Sequence, residues 1–228
     1  MIKSDTIETR DGPLTIQPIR HASLALLWKD LTILVDPADN LPRLAGLAEP
    51  NLILFTHQHG DHFNRETLEA VAGSGTAIIV PRVVMNELHG ELHDRARLIG
   101  AGDTTAFGEI GIVALPAHNL TPERLAFHPR GMGVGYVLSF AGTRLYVAGD
   151  TEDTPEMRGL QDIDVAFLPM NLPYTMSGSQ AADAVMAFRP RLVYPFHYLD
   201  GVEHEIFEGL LRQFESTEVR IRDWYADD

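Results

Sequence analysis

The chain has 228 residues, 32 acidic against 18 basic side chains, a formal charge of −14, ten histidines and no cysteine. The missing cysteine excludes disulfides, thiolate zinc fingers, cysteine-bound iron–sulfur clusters and a cysteine nucleophile. The acidic balance argues against binding along a phosphate backbone, which needs clustered Lys and Arg. No window approaches eighteen uninterrupted apolar residues, and the opening MIKSDTIETRDG lacks the apolar stretch of a secretory signal. The expectation is therefore one globular domain over 1–228, cytoplasmic, with no membrane or nucleic-acid partner.

In chain order, short β-branched runs bounded by turn residues predict strands over 14–19, 24–28, 31–35 and 51–55. Asn64 then reads as the cap of a helix carrying Leu68, Val71 and Ala72 at helical spacing. A strand over 76–80 and a short helix over 82–89 follow, then strands over 110–115, 133–140, 143–147 and 165–168. A helix over 179–188, with Ser179 as its capping serine, precedes a strand over 192–195. A last helix over 202–214 places Ile206, Leu210, Leu211 and Phe214 on one stripe. Many strands are apolar on both faces, which predicts sheets covered on both sides. No internal repeat is visible. Periodicity alone establishes α and β elements in several layers.

The chemistry is concentrated in Thr56-His57-Gln58-His59-Gly60-Asp61-His62, which follows an apolar strand and precedes the Asn64 cap. In extended backbone, residues two apart point the same way, so His57, His59 and Asp61 can converge. Gly60 would permit a sharp backbone path there. Imidazole and carboxylate together suit zinc, manganese or iron. Such a pattern arises by chance on the order of once in a thousand chains of this composition. His118, Asp150 and His197 each sit just past a predicted strand, where α/β proteins place site residues. Asp36, Thr56 and Thr151 are candidates to hold these ligands from behind. His89, His93 and His204 read as solvated. His128 and Arg130 read as belonging to a mobile loop without a role, although an anion contact is an alternative.

The series His57-x-His59-x-Asp61-His62, His118, Asp150 and His197 resembles the metallo-β-lactamase superfamily of metal-dependent hydrolases. Arg20-His21-Ala22-Ser23, Leu34-Val35-Asp36-Pro37 and the stretches 133–151 and 168–185 are similar to a branch containing L-ascorbate-6-phosphate lactonase-like proteins. The resemblance covers about 14–200. It implies an α+β fold, a four-layer αββα sandwich of two mixed sheets flanked by helices.

It also implies two divalent ions, zinc foremost with manganese or iron as alternatives. His57, His59 and His118 would hold one ion, Asp61, His62 and His197 the second, and Asp150 both. A bridging hydroxide would attack a small, anionic ester, lactone or phosphoester, with Asp61 as the catalytic proton shuttle or purely a ligand. His21, Asn171 and Tyr174 are candidates for substrate contact. His59 stands where the flavodiiron branch carries glutamate, which disfavours redox chemistry. Alternatives are a nuclease or phosphodiesterase of the same superfamily, a glyoxalase-type thioesterase, and a non-catalytic metal-bound scaffold or ligand sensor. A small-molecule substrate and a homo-oligomeric state are the expected partners.

Overall fold

The computed structural model describes residues 3–38, 41–199 and 201–225. Two compact units make up the chain, one running to Ile99 and resuming at Asp223, the other Gly100–Arg222. Each is built on one seven-stranded mixed sheet.

In the first unit β1 (Asp5–Thr9), β2 (Gly12–Arg20), β3 (Ser23–Trp28) and β4 (Leu31–Val35) form an antiparallel meander. β5 (Leu52–Leu54), β6 (Ala77–Val80) and β7 (Ala96–Leu98) continue it in parallel. The parallel crossovers carry α1 (Leu41–Leu44), α2 (Arg65–Val71), α3 (Arg82–Met85) and α4 (Gly90–Arg95). Leu44, Leu68, Val84, Met85 and Leu88 pack with Ile19, Ala25, Leu34, Ile53, Phe55, Ile78 and Val80 in one buried cluster. Each such side chain contributes about 1.5–3 kcal/mol when fully buried.

The second unit repeats this plan. β8 (Thr104–Phe107), β9 (Ile110–Ala117), β10 (Gly133–Phe140) and β11 (Thr143–Val147) are antiparallel. β12 (Val165–Pro169), β13 (Leu192–Phe196) and β14 (Glu218–Val219) add in parallel. Three helices accompany them: α5 (Pro155–Arg158), α6 (Gly178–Phe188) and α7 (Glu203–Leu211). β12 and β13 are buried at every position, as their two-sided apolar runs require.

All ten strands expected from sequence form, with ends shifted by a residue or two. The four unforeseen strands, β1, β7, β8 and β14, are the four sheet edges. Their faces are largely open, so they carry no apolar signature to detect.

The helices need three corrections. The segment 82–89 stops being α-helical at Met85, and a separate helix starts at Gly90 behind His89. α6 is capped by Ser177 rather than Ser179, through a reciprocal capping box with Gln180. The buried face of α7 is Phe207 and Leu211, whereas Ile206 and Leu210 are exposed. The face is set by α6: the Glu203 carboxylate accepts the Gly178 amide at 2.6 Å, which turns the 203–207–211 row toward that helix. Among the described residues no helix is long and apolar enough to cross a membrane.

This helix contact yields a test. A Cβ at Gly178 would lie 2.1 Å from the Glu203 carbonyl oxygen, so Gly178→Ala should cost about 1–3 kcal/mol in thermal or urea unfolding. Gly209 has open space and ordinary backbone within α7, so Gly209→Ala should stabilise by about 0.4–1 kcal/mol.

Candidate metal centre

The first unit gathers its polar side chains at the ends of β2, β4 and β5. The buried carboxylate of Asp36, just past β4, organises them. Its Oδ1 accepts the Thr56 amide at 2.7 Å, and Oδ2 accepts the Thr56 hydroxyl at 2.6 Å and His62 Nδ1 at 2.8 Å. The Ser23 hydroxyl donates to the Asp36 carbonyl. With its proton committed to Asp36, the Thr56 hydroxyl oxygen accepts His57 Nδ1 at 3.0 Å. Both imidazoles therefore carry their proton on Nδ1 and keep Nε2 as the lone-pair nitrogen, the tautomer a metal ligand needs.

His57 Nε2 lies 3.1 Å from His59 Nδ1. Asp61, half exposed, has its Oδ2 3.1 Å from His21 Nε2 and 4.0 Å from His62 Nε2. His21 Nδ1 is 2.7 Å from the Tyr225 hydroxyl. Gly60 has ordinary backbone and needs no glycine. The sharp path is closed instead by the His62 and Phe63 amides, which both donate to the His59 carbonyl. Thus His57, His59, Asp61 and His62 share one loop, and His21, Asp36 and Thr56 stand with them.

The second unit places Asp150 just past β11 and His197 just past β13. Asp150 Oδ2 lies 3.3 Å from His197 Nε2 and 3.2 Å from His128 Nε2, all three side chains being almost fully buried. His128 is therefore no idle loop residue. Its Nδ1 donates to the Tyr174 carbonyl at 3.0 Å. Arg130, by contrast, is exposed and pairs with Glu156.

His118 is buried, but among the described residues its ring hydrogen-bonds only to the Asn119 carbonyl, at 3.1 Å through Nδ1, and its Nε2 has no hydrogen-bond partner. Thr151 holds the His118 backbone at both its amide and its carbonyl. Tyr174 is exposed, with its ring edge-on to Phe127 and its carbonyl accepting His128 and Asn119. Asn171 acts through its backbone, its carbonyl closing a turn onto the Tyr174 and Thr175 amides. His93 is exposed on α4, and His204 stacks on Tyr198 at 4.1 Å.

Sequence reasoning passed over Glu152. Its fully buried carboxylate accepts the Leu120 and Thr121 amides at 2.6 Å each, the Thr121 hydroxyl at 2.7 Å and Arg124 at 2.8 Å. Burial alone would raise its pKa. The hydrogen bonds from Thr121, Leu120 and Gln180 outweigh that and hold it below the usual carboxylate range. Only its position two residues past Asp150 could have marked it. His21, Asp36 and His197 hold left-handed φ of 55°, 46° and 50°, a cost non-glycine residues bear where the surroundings impose it.

This donor set fits a divalent ion. In the first unit the His57 and His59 ring nitrogens stand 3.1 Å apart, in the second two imidazole nitrogens stand 3.2 and 3.3 Å from one Asp150 oxygen, and the other ring nitrogens of His57, His62 and His128 are spent on protein acceptors. A beta-lactamase superfamily domain matches residues 15–197, running through both units. The chain belongs to that superfamily, and within it to the UPF0173 metal-dependent hydrolases.

It is 34% identical to the UPF0173 metal-dependent hydrolase of Thermococcus kodakarensis over 187 residues, 78% of this chain and 81% of that one. The counterpart in Lysinibacillus sphaericus is 30% identical over 214 residues, 88% and 92% of the two chains. The crystal structure of a candidate metal-dependent hydrolase from Parabacteroides distasonis superposes with a TM-score of 0.90 at 40% identity, covering 97% and 99%. The fold class is accordingly the metallo-β-lactamase α+β sandwich.

Replacing the Glu152 carboxylate should loosen the 118–130 loop. Glu152→Gln substitutes donors for acceptors opposite two amides and is expected to cost about 1–3 kcal/mol in thermal unfolding. Hydrogen exchange at Leu120 and Thr121 should rise with it. Unchanged protection at both amides would refute this bracing role.

Proposed function

We propose that the protein is a dinuclear metal-dependent hydrolase of a small anionic ester, lactone or phosphoester, acting as a single domain. The observation that carries this reading is the pair of imidazole–carboxylate clusters, each buried behind carboxylates and carbonyls that fix the ligand tautomers. The donors would be His57, His59, Asp61 and His62 from the first unit, and Asp150, His197 and one imidazole of the 118–130 loop from the second. Two divalent ions, zinc foremost, supply Lewis acidity and a water acidified toward neutrality when bound.

The chain's own residues do the rest. Asp36 and Thr56 engage the Nδ1 atoms of His62 and His57, which leaves their Nε2 atoms as the ligand nitrogens. Asp61, half exposed and within hydrogen-bond reach of His21, is placed to accept a proton and pass it to that imidazole. The Tyr225 hydroxyl at His21 Nδ1 extends this route by one group. The Tyr174 carbonyl meets His128 Nδ1 and Asn171 closes the turn that carries Tyr174, which keeps both as candidates for substrate contact. The similarity of 133–151 and 168–185 to L-ascorbate-6-phosphate lactonase-like proteins favours a lactone or phosphoester, and the charge of −14 disfavours nucleic acid.

Purified protein should hold about two divalent ions, and turnover on a panel of lactones, phosphodiesters and esters should vanish on chelation and return with zinc, manganese or iron. Asp150→Asn should lower kcat/KM by more than about 100-fold, since changes to residues behind metal ligands already cost 10–100-fold. Metal-free protein that takes up none on reconstitution would sink the proposal. Metal-loaded protein with no turnover on any ester would leave the ligand-sensor alternative in its place.

A further inference from the structure

We infer that the first unit carries an anion site apart from the metal-binding donors, a pocket between α3 and α4 that takes a phosphate monoester. A cavity of about 630 Å³ opens there, a size within the range of about 300–1,000 Å³ typical of small-molecule sites. Arg82, Asn86, His89 and His93 supply its polar lining, and Met85 and Leu88 its buried apolar lining. The chain has 32 acidic against 18 basic side chains, yet among the described residues no carboxylate lines this cavity. Glu87, Glu91 and Asp94 belong to the same stretch and lie outside the lining, where Asp94 meets His93 Nδ1 at 3.5 Å. A guanidinium and two imidazoles without a carboxylate among them favour an anion.

The donors facing this cavity are unspent. Arg124, Arg158, Arg191 and Arg220 are each tied to a carboxylate. The side chains of Arg82, Asn86 and His89, by contrast, have no hydrogen-bond or ion-pair partner among the described residues. The Asn86 amide donates to the Arg82 carbonyl at 3.1 Å, so these two residues stand one helical turn apart on one face. The guanidinium fork, the Asn86 amide and the His89 imidazole together match the three terminal oxygens of a phosphoryl group. The stretch that presents them is fixed from below, because Met85 and Leu88 pack in the buried cluster with Phe63 and Val84. The Glu87 carbonyl also accepts the Arg65 guanidinium, which ties the stretch to the start of α2. A bare phosphate would fill only a small part of 630 Å³, and the volume beside Met85 and Leu88 suits an organic body.

The test titrates the full-length protein as purified with adenosine monophosphate, glycerol phosphate and inorganic phosphate by calorimetry, and maps each by backbone-amide NMR shifts. At least one ester should bind more tightly than inorganic phosphate, with its shifts concentrated in 82–93. The tighter ester then names the organic body as a nucleoside or a polyol. Arg82→Gln should weaken that ester by about tenfold or more, since a hydrogen bond to a charged group is lost. His89→Ala should weaken it by a smaller factor and serves as the second variant should Arg82→Gln fail to fold. Metal content should be unchanged in both. Shifts confined to 57–62 and the Asp150 segment would place the phosphoryl group at the metal-binding donors and overturn the assignment. So would undiminished affinity in a folded Arg82→Gln, no binding of either ester, or inorganic phosphate binding as tightly as both esters.

Discussion

The rest of the site depends on one electrostatic constraint: Asp150 must keep a buried carboxylate with two imidazole nitrogens within 3.3 Å of a single oxygen. Charge taken from water into the interior costs several kcal/mol per ion unless something of opposite sign accompanies it. A network of lone pairs with no positive partner would push its members apart, yet these are held together. What holds them is the arrangement behind them. The Tyr174 carbonyl accepts the His128 Nδ1–H hydrogen bond, and the strand ends set the direction of Asp150 and His197. The protein accepts local cost, including a left-handed backbone at His197, to keep these polar atoms converging on Asp150.

The same logic appears in each unit, on equivalent strands. β4 and β11 are each the last antiparallel strand before the parallel run, and each is followed by a buried aspartate, Asp36 in one and Asp150 in the other. Past β2 and β9, the second strands of the two meanders, stand His21 and His118. The order of β9 and β2 in their sheets is the same, but their roles diverge. Asp36 accepts three donors and works from behind His62, whereas Asp150 faces imidazole nitrogens directly. One plan thus carries a carboxylate that accepts three donors in the first unit and one that faces two imidazole nitrogens in the second. No sequence repeat accompanies this, because the shared feature is strand order and the position of strand ends.

What was legible in the sequence follows from how locally each feature is encoded. The interior strands were legible because burial on both faces demands continuous apolar runs, as in 165–168 and 192–195. The edge strands were not, since DTIET or TTAF satisfies an open edge without an apolar face. The loop 57–62 was legible because four donors crowd one segment at period-two spacing. Asp36 and Thr56 were found as partners of that loop because both flank strands that lead into it. His128 lies in FHPRG, with no spacing or strand end to mark it. Its proximity to Asp150 arises only when Asn119 pairs with the His128 carbonyl and Glu152 gathers the intervening residues.

Glu152 shows why such residues escape sequence reading and still matter to the chemistry. A glutamate in a charged stretch reads as surface, yet this one is buried and meets two backbone amides, a hydroxyl and a guanidinium. Charge-assisted bonds of this kind are roughly twice as strong as neutral ones, and four converging on one carboxylate make a rigid joint from a polar loop. A joint two residues from Asp150 carries the loop's position to that carboxylate with little slack, and a functional constellation tolerates only about 0.5 Å of displacement. The position of His128 is thus set by a carboxylate that touches neither the imidazole nor Asp150.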